Sequence, residues 1–496
     1  MLLSLAEQFN KEIAKKYFPG RPFSLWNDAV QENDVCGVII DEKTEVQLLT
    51  KTKNIYTNAR LYVYYDNELF DVNESRVSEY QNAAFQLKNW WIVKDINKIK
   101  VKVNIALKKE IFDTYPIVLQ VESTSQCNAK CIMCSHYYKD INDGEHLTLD
   151  KCKMLEEALP YTETVMLHGI GEPFLNPDIV ELLSFYKKFG VHLSTFTNMT
   201  VLTPRILEAI GQSFSALHIS CDGCTSEIFE KIRGNLKFKS FLRNVKLLHK
   251  AYPEIKLHMH VVAMRQNLMQ LDKFIQFASE LGFTSVTYSN LTVNPLIRND
   301  GDSLRKFPVM AKHKFFLAEN AAQKLGIRIS YPKEYKDYQD NEEEYFNEFE
   351  LYQSQELFTD GLELHKRIEK FDYFYLYATE ALSLGELEMT KYECEGLCDW
   401  LSECAYFDLD GNLVLCCSKY YFTMGNILDY NSFKDLWNSS QYKIIRKIFF
   451  NGFIPKVCQG CRYIVDGSMK NLCLKNDDED FKKMQPVGKL YQKLLE

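Results

Sequence analysis

Between residues 116 and 290, short β-branched runs alternate with amphipathic helical patterns, and this alternation restricts the fold more than any other feature of the chain. PIVLQVE (116–122), ETVMLHG (163–169), VHLSTFTN (191–198), SALHIS (215–220), KLHMHVVAM (256–264) and TSVTYSN (284–290) read as six strands. DIVELLSFYKKFG after Pro177 and LMQLDKFIQFASELG after Asn267 carry apolar residues at helical spacing, and each ends at a glycine suited to the position just past a helix. In the second, Leu271, Phe274, Ile275, Ala278 and Leu281 fall on one face. Strands and helices alternating at this spacing imply right-handed βαβ units, hence a parallel sheet with helices outside. The fold class is therefore α/β, either an incomplete barrel or an open curved sheet, and ligands belong at the carboxyl ends of the strands.

The chain has 496 residues, enough for two or three cores. Before residue 115 the runs VCGVIIDEKTEVQLLT, ARLYVYYDNELFDV and KIKVKVNI alternate with period two, and Asp66-Asn67 is a turn signal, so residues 1–112 read as a small β-rich domain. The barrel segment is assigned to 113–292. Residues 293–391 read as a helical bridge with a locally acidic stretch, eight carboxylates between Glu334 and Glu350 opposed only by Lys336; such a run is a solvated face or an acidic partner surface. A separate module is expected over 392–475 and a charged helix or tail over 476–496.

Fifty-nine basic against 67 acidic residues leave a formal charge of −8, which argues against a nucleic-acid binder or a partner for anionic lipid. No apolar run approaches the ~18 residues that span a bilayer, and the start MLLSLAEQFNKE turns polar too soon for a secretory signal. A cytoplasmic location is expected, with no membrane partner. In a reducing compartment the 15 cysteines point to metal ligation or redox chemistry rather than disulfides. They fall into three groups, Cys127/Cys131/Cys134, Cys221/Cys224, and eight from Cys394 to Cys473, while Cys36 and Cys152 stand alone as expected buried hydrophobes. Cys127, Cys131 and Cys134 follow the first barrel strand on one tight loop, where three thiolates can hold three corners of a cubane iron–sulfur cluster and leave one iron open. A structural zinc would want a fourth ligand, and none lies nearby in sequence.

The loop CNAKCIMC resembles the CxxxCxxC loop of the radical S-adenosylmethionine (radical SAM) superfamily, and the resemblance continues over roughly residues 115–290. HGIGEPFLNP is similar to that family's GGEP motif, with Gly169, Gly171 and Glu172 matching and Ile170 departing. STFTNMT resembles its TNG segment through Thr197 and Asn198, with Met199 departing. ISCDGC resembles its SxDG turn through Ser220 and Asp222, and Arg233 stands where relatives often place a cation for the cofactor carboxylate. The resemblance implies a partial (β/α)6 TIM-like barrel, a 4Fe-4S cluster on Cys127, Cys131 and Cys134, and S-adenosylmethionine held by the eight residues just named. It also implies reductive cleavage to a 5′-deoxyadenosyl radical that takes hydrogen from a substrate.

Toward the C-terminus, Cys398, Gly411, Cys416, MGNI, DLWN, Arg446, Cys458 and Cys461 follow the order of the SPASM extension found in radical SAM maturases. That likeness implies one auxiliary 4Fe-4S cluster on Cys398, Cys416, Cys458 and Cys461. Cys394 is an alternative to Cys398 and Cys417 to Cys416, and tetrahedral zinc is an alternative occupant. Because neighbouring strand residues point oppositely, only one of Cys416 and Cys417 should face the site. Relatives with this extension often modify ribosomally made peptides, so the expected partners are a peptide or a small-molecule substrate such as a sugar, and an external electron donor such as flavodoxin or ferredoxin. Oxidation, crosslinking and epimerisation all remain open, and for the last Cys221, Cys224, Cys404 and Cys473 are candidate hydrogen-donating thiols. His168, His258 and His260 read either as packed core groups or as substrate contacts.

Overall fold

The computed structural model describes residues 76–134, 144–292, 299–354, 394–417 and 422–455, and the shorter pieces 2–6, 11–19, 23–25, 35, 37–41, 43–44, 49, 60–65, 68–71, 389–391, 458, 461 and 472–474. The strands in chain order are β1 (Leu2–Ser4), β2 (Phe23–Leu25), β3 (Gly37–Ile40), β4 (Arg60–Tyr65), β5 (Glu68–Asp71), β6 (Val118–Val121), β7 (Thr164–Leu167), β8 (His192–Ser194), β9 (Phe196–Thr197), β10 (Ala216–Ser220), β11 (Lys256–Ala263), β12 (Phe283–Asn290), β13 (Arg328–Ser330), β14 (Met389–Lys391), β15 (Cys394–Gly396), β16 (Cys404–Phe407), β17 (Asn412–Val414), β18 (Thr423–Asn426), β19 (Phe453–Pro455) and β20 (Leu472–Leu474).

All six expected barrel runs form strands, with VHLSTFTN split into β8 and β9 at Thr195, whose hydroxyl donates to the Leu167 carbonyl at 2.6 Å. The barrel strands pair in parallel in two sheets, β6-β7-β8 and β9-β10-β11-β12. On β11, Leu257, Met259, Val261 and Ala263 are buried in the large core shared with Phe241, Val245 and Leu248 of the helix Phe238–Ala251, while His258 and His260 on the other face are half-buried. Outward-facing apolar residues thus hold the helices on, and the inward face is left free to be polar. The expected helix face is also present: Leu271, Phe274, Ile275, Ala278 and Leu281 are buried, on a 3-10 turn Arg265–Gln270 followed by the helix Lys273–Glu280.

Neither edge of the barrel is bare. β13 adds in parallel to β12, and β16 of the C-terminal module adds in parallel to β6, pairing Cys404 with Val118 through Phe407 with Val121. A hairpin that turns at Asp410-Gly411 is formed by β16 and β17, with β18 beyond it, so one six-stranded sheet runs β18-β17-β16-β6-β7-β8. An open strand edge is a pairing hazard, and these additions remove it.

The N-terminal region departs from the β-rich expectation in part. It holds a five-stranded sheet in the order β2-β1-β3-β4-β5, four strands of it parallel, but helices accompany it and KIKVKVNI lies inside the helix Trp90–Ala106 rather than in a strand. The cause is that this helix serves two cores. Ile99 and Val103 pack into the N-terminal sheet while Val101 and Ile105 pack into the barrel core, and two i,i+4 stripes interleaved along one sequence imitate period two. The Asp66-Asn67 turn lies outside the described residues, though Tyr65 and Glu68 on either side of it pair antiparallel as a two-residue turn requires. The acidic stretch contributes the helix Glu342–Ser354, behind the long helix Pro308–Leu325. Cys36 and the residues after 474 lie outside the description, as do the side chains of Cys394 and Cys473.

Candidate functional site

The cysteine loop leaves β6 at Val121 and is clipped down from three sides. Gln126 accepts from the Glu172 amide at 2.8 Å, so the GEP turn after β7 is one clip. The amides of Lys130 and Ile132 donate to the carbonyls of Arg233 and Ile232 at 3.2 and 3.0 Å, which fastens the loop to the end of the helix Ser226–Arg233. Asn128 bridges to the segment after β9, donating to Thr200 at 2.9 Å and accepting from Asn198 Nδ2 at 2.8 Å. The motif segments after β7, β9 and β10 thus converge on the loop that carries Cys127, Cys131 and Cys134.

The two glycines of the turn have a steric reason. A Cβ on Gly171 would lie 2.2 Å from the Thr124 carbonyl oxygen and 2.6 Å from that of Gln126, and one on Gly169 would strike the Glu122 side chain at 2.5 Å. Only glycine lets the cysteine loop pass this close. Glu172 is buried and its carboxylate accepts from the Thr197 hydroxyl at 2.6 Å and the Asn198 amide at 2.7 Å. Three of the motif residues therefore form one hydrogen-bonded knot. Burial pushes the Glu172 carboxyl up to about 7, against the pull of those donors.

Asp222 and Arg233 likewise meet each other. Their charged groups are 2.6 Å apart, Asp222 Oδ1 also accepts from the Val262 amide at 2.8 Å, and Arg233 Nη1 reaches Cys131 Sγ at 3.8 Å. Ser220 ends β10 in register with His260, half-buried. Burial pushes the Cys127 and Cys131 thiols up to about 12, with Arg233 drawing Cys131 partly back. Free thiols so placed keep their protons at neutral pH, and only a metal that displaces those protons makes them ligands.

Inside the barrel three imidazoles surround one ring, and a fourth stands against one of them. Phe196 lies 4.9 Å from His168, 4.8 Å from His218 and 5.3 Å from His260, with His258 a further 5.2 Å from His218. Burial lowers the pKa of His168 to about 4, and lowers that of His218 and His258, so these imidazoles are uncharged at neutral pH. Sequence reasoning singled out His168, His258 and His260 but not His218 or Phe196; the alternation of His218 with buried Leu217 and Ile219 is the signal that marks it as inward-facing.

In the C-terminal module the Cys398 thiol is buried and pushed well up by that burial, and after it by the charges of Cys458, Cys416 and Cys461. Cys398 is therefore near enough to each of the other three expected ligands to feel its charge. Cys461 is tied to Cys458 by a 3.2 Å amide-to-carbonyl bond, and Cys416 is buried while Cys417 is half-exposed. Among the described residues no three His, Cys, Asp or Glu side chains are gathered as one ion would need; thiolates on the corners of a cubane stand farther apart, because the cluster lies between them. In the other cysteine group, Cys221 is buried and Cys224 half-buried; burial pushes both thiols up, Cys221 to about 12.

This is the arrangement of a barrel that carries an iron–sulfur loop at its carboxyl end, joined to a second cysteine module. Residues 121–278 match the radical SAM superfamily and residues 398–462 match the iron-sulfur cluster-binding SPASM domain, so the chain carries a radical SAM domain followed by a SPASM-type C-terminal module. It is similar to the AdoMet-dependent heme synthase of Methanosarcina barkeri, 27% identical over 43% of this chain and 68% of the relative, and to the mycofactocin maturase MftC of Mycobacterium tuberculosis, 31% identical over 34% of this chain and 43% of the maturase. The chain thus aligns with less than half of that maturase's length. Streptococcus suis SuiB bound to its precursor peptide SuiA overlays with a TM-score of 0.47 at 14% identity, over 81% of this chain and 79% of that one. A radical SAM domain implies a 4Fe-4S cluster and S-adenosylmethionine, and a SPASM module implies auxiliary iron–sulfur. The residues fit these groups: all-sulfur donor sets, on a pinned loop and in a second group of four cysteines around Cys398, suit iron–sulfur chemistry. No described helix is long and apolar enough to cross a membrane.

Proposed function

We propose that this chain is a radical SAM maturase acting on a ribosomally made peptide, with one auxiliary 4Fe-4S cluster. The observation that carries the reading is the convergence of the segments after β7, β9 and β10 on the Cys127–Cys134 loop. When bound, the first cluster and S-adenosylmethionine supply a 5′-deoxyadenosyl radical, and the auxiliary cluster supplies a one-electron acceptor for a substrate radical. Cys127, Cys131 and Cys134 would hold the first cluster, and Cys398, Cys416, Cys458 and Cys461 the second. Gly169, Gly171, Glu172, Thr197 and Asn198, together with Ser220, Asp222 and Arg233, would hold S-adenosylmethionine. The half-buried histidines His218, His258 and His260 would line the chamber where the substrate lies, shielded from bulk water by the helices outside.

The peptide is favoured by the likeness to the PqqA peptide cyclase of Ruegeria pomeroyi, 28% identical over 34% of this chain and 45% of the cyclase; the longer alignment with a haem synthase favours a small molecule as the second reading. A cytoplasmic setting and a flavodoxin or ferredoxin donor belong to the same proposal, because an open iron–sulfur site needs a reducing compartment and an electron source. The test is to reconstitute the protein with iron and sulfide without oxygen, reduce it, and offer deuterated peptides or deuterated small molecules. Deuterium in 5′-deoxyadenosine from a peptide supports the reading, and deuterium only from a small molecule overturns the peptide. A colourless zinc protein that leaves S-adenosylmethionine intact overturns the enzyme.

A further inference from the structure

Arg446 is fully buried, on the helix Ser440–Phe450, and it is not paired with a carboxylate among the described residues. Its Nε donates to the Leu401 carbonyl at 2.9 Å, and its Nη1 to the Glu110 carbonyl at 3.2 Å and to Asn438 Oδ1 at 3.1 Å. Nη2 has no hydrogen-bond partner there. Three rings enclose the guanidinium, Phe112 at 4.1 Å, Trp437 at 4.8 Å and Tyr442 at 5.0 Å. Ring faces recover only ~1–2 kcal/mol of the cost of burying a cation, far less than that cost. A buried charge at such expense calls for an anion nearby.

The surroundings point to one. Leu401, which accepts from Arg446, donates its own amide to the Cys398 carbonyl at 2.8 Å. Arg446 is therefore joined through one residue, Leu401, to Cys398, one of the four cysteines of the C-terminal quartet. A cubane held by four thiolates is a net anion, and becomes more negative by one charge when reduced.

We propose that Arg446 is the fixed counter-charge of the auxiliary cluster, and that its buried positive charge raises the cluster's reduction potential so that it can accept an electron from a substrate radical. This rests on the auxiliary cluster of the proposed function. A cation beside the cluster favours the reduced, more negative form, and removing it disfavours that form. Arg446 acts here as a positioning residue, through Leu401, and touches no reacting atom.

The experiment uses the full chain with Cys127, Cys131 and Cys134 replaced by Ala, so that only the second cluster is present, and follows its paramagnetic resonance signal during titration with titanium(III) citrate. Arg446→Met should move the midpoint to more negative potential with the iron retained. Arg446→Lys should hold the midpoint near that of Arg446 while lowering Tm, because lysine keeps the charge but loses the fork and the stacking. An unchanged midpoint in Arg446→Met overturns the inference, as does a Lys chain that shifts as far as the Met chain. If Arg446→Met folds but takes up no iron, Arg446→Lys must restore uptake, and its failure overturns the inference too. A chain with Arg446 in place that takes up no second cluster overturns the proposed auxiliary cluster as well, which separates the two failures.

Discussion

The Asp222 carboxylate and the Arg233 guanidinium stand 2.6 Å apart, both buried, and the same guanidinium reaches the Cys131 sulfur at 3.8 Å. Two residues expected to meet the cofactor are thus committed to each other. The pair thereby couples the turn after β10 to the cysteine loop. Breaking a buried pair from one side leaves a stranded charge and costs roughly 3–5 kcal/mol. Arg233→Met is expected to lose stability on that scale in urea unfolding of the cluster-free chain. Asp222→Asn in the same chain removes the stranded charge but keeps an Oδ1 acceptor for Val262, and should recover most of the loss. A double variant no more stable than Arg233→Met would show that the pair is not the source.

Gly171 offers a test of the cysteine loop itself. A Cβ there meets backbone oxygens of Thr124 and Gln126, which cannot swing aside as a flexible side chain can. Gly171→Ala should therefore displace the loop before it unfolds the barrel, lowering iron bound at the first cluster several-fold while Tm falls by only a few degrees. Gly301→Ala, with nothing within 4 Å of the added methyl, is the control and should leave iron content unchanged.

The barrel was legible because each strand answers to one local rule. Leu257, Met259 and Val261 must face the helices, so the intervening His258 and His260 must face inward, and the pattern is written in consecutive residues. The same rule misleads at KIKVKVNI, because Ile99 and Val101 serve two different cores and only the packing reveals that there are two. The addition of β16 to β6 was not legible, since nothing in CAYF names VLQV as its partner. At the site, residue types and order predicted the convergence of the motifs, but not that Glu172 would be consumed by Thr197 and Asn198 or Asp222 by Arg233. Those are relations between strand ends, decided by the barrel's curvature.

Glu172 also carries a pH dependence of unusual sign. Burial raises its carboxyl from the ordinary 4.5 to about 7, so the folded chain holds a proton that the unfolded chain releases. Between those values the folded state binds more protons, and stability falls as pH rises, by at most about 3.5 kcal/mol at ~1.4 kcal/mol per pH unit. Glu172→Gln removes this term. In thermal melts of the cluster-free chain, the Gln variant should gain on the unsubstituted protein between pH 5 and pH 7.5. Equal differences at the two pH values would mean that Glu172 titrates like an exposed carboxylate.

The C-terminal quartet can be counted directly. Cys398 is raised by burial and then by Cys458, Cys416 and Cys461, while Cys417, one residue from Cys416, is half-exposed. With a cubane at each site the chain would take up about eight irons. Replacing Cys398, Cys416, Cys458 or Cys461 with Ala should bring this down to about four while S-adenosylmethionine cleavage persists, because the first cluster lies on a different loop. Cys417→Ala should keep the full complement. If Cys417→Ala lost iron and Cys416→Ala did not, the strand would present the other sulfur, and the turn after Val414 would have to be rebuilt by one residue.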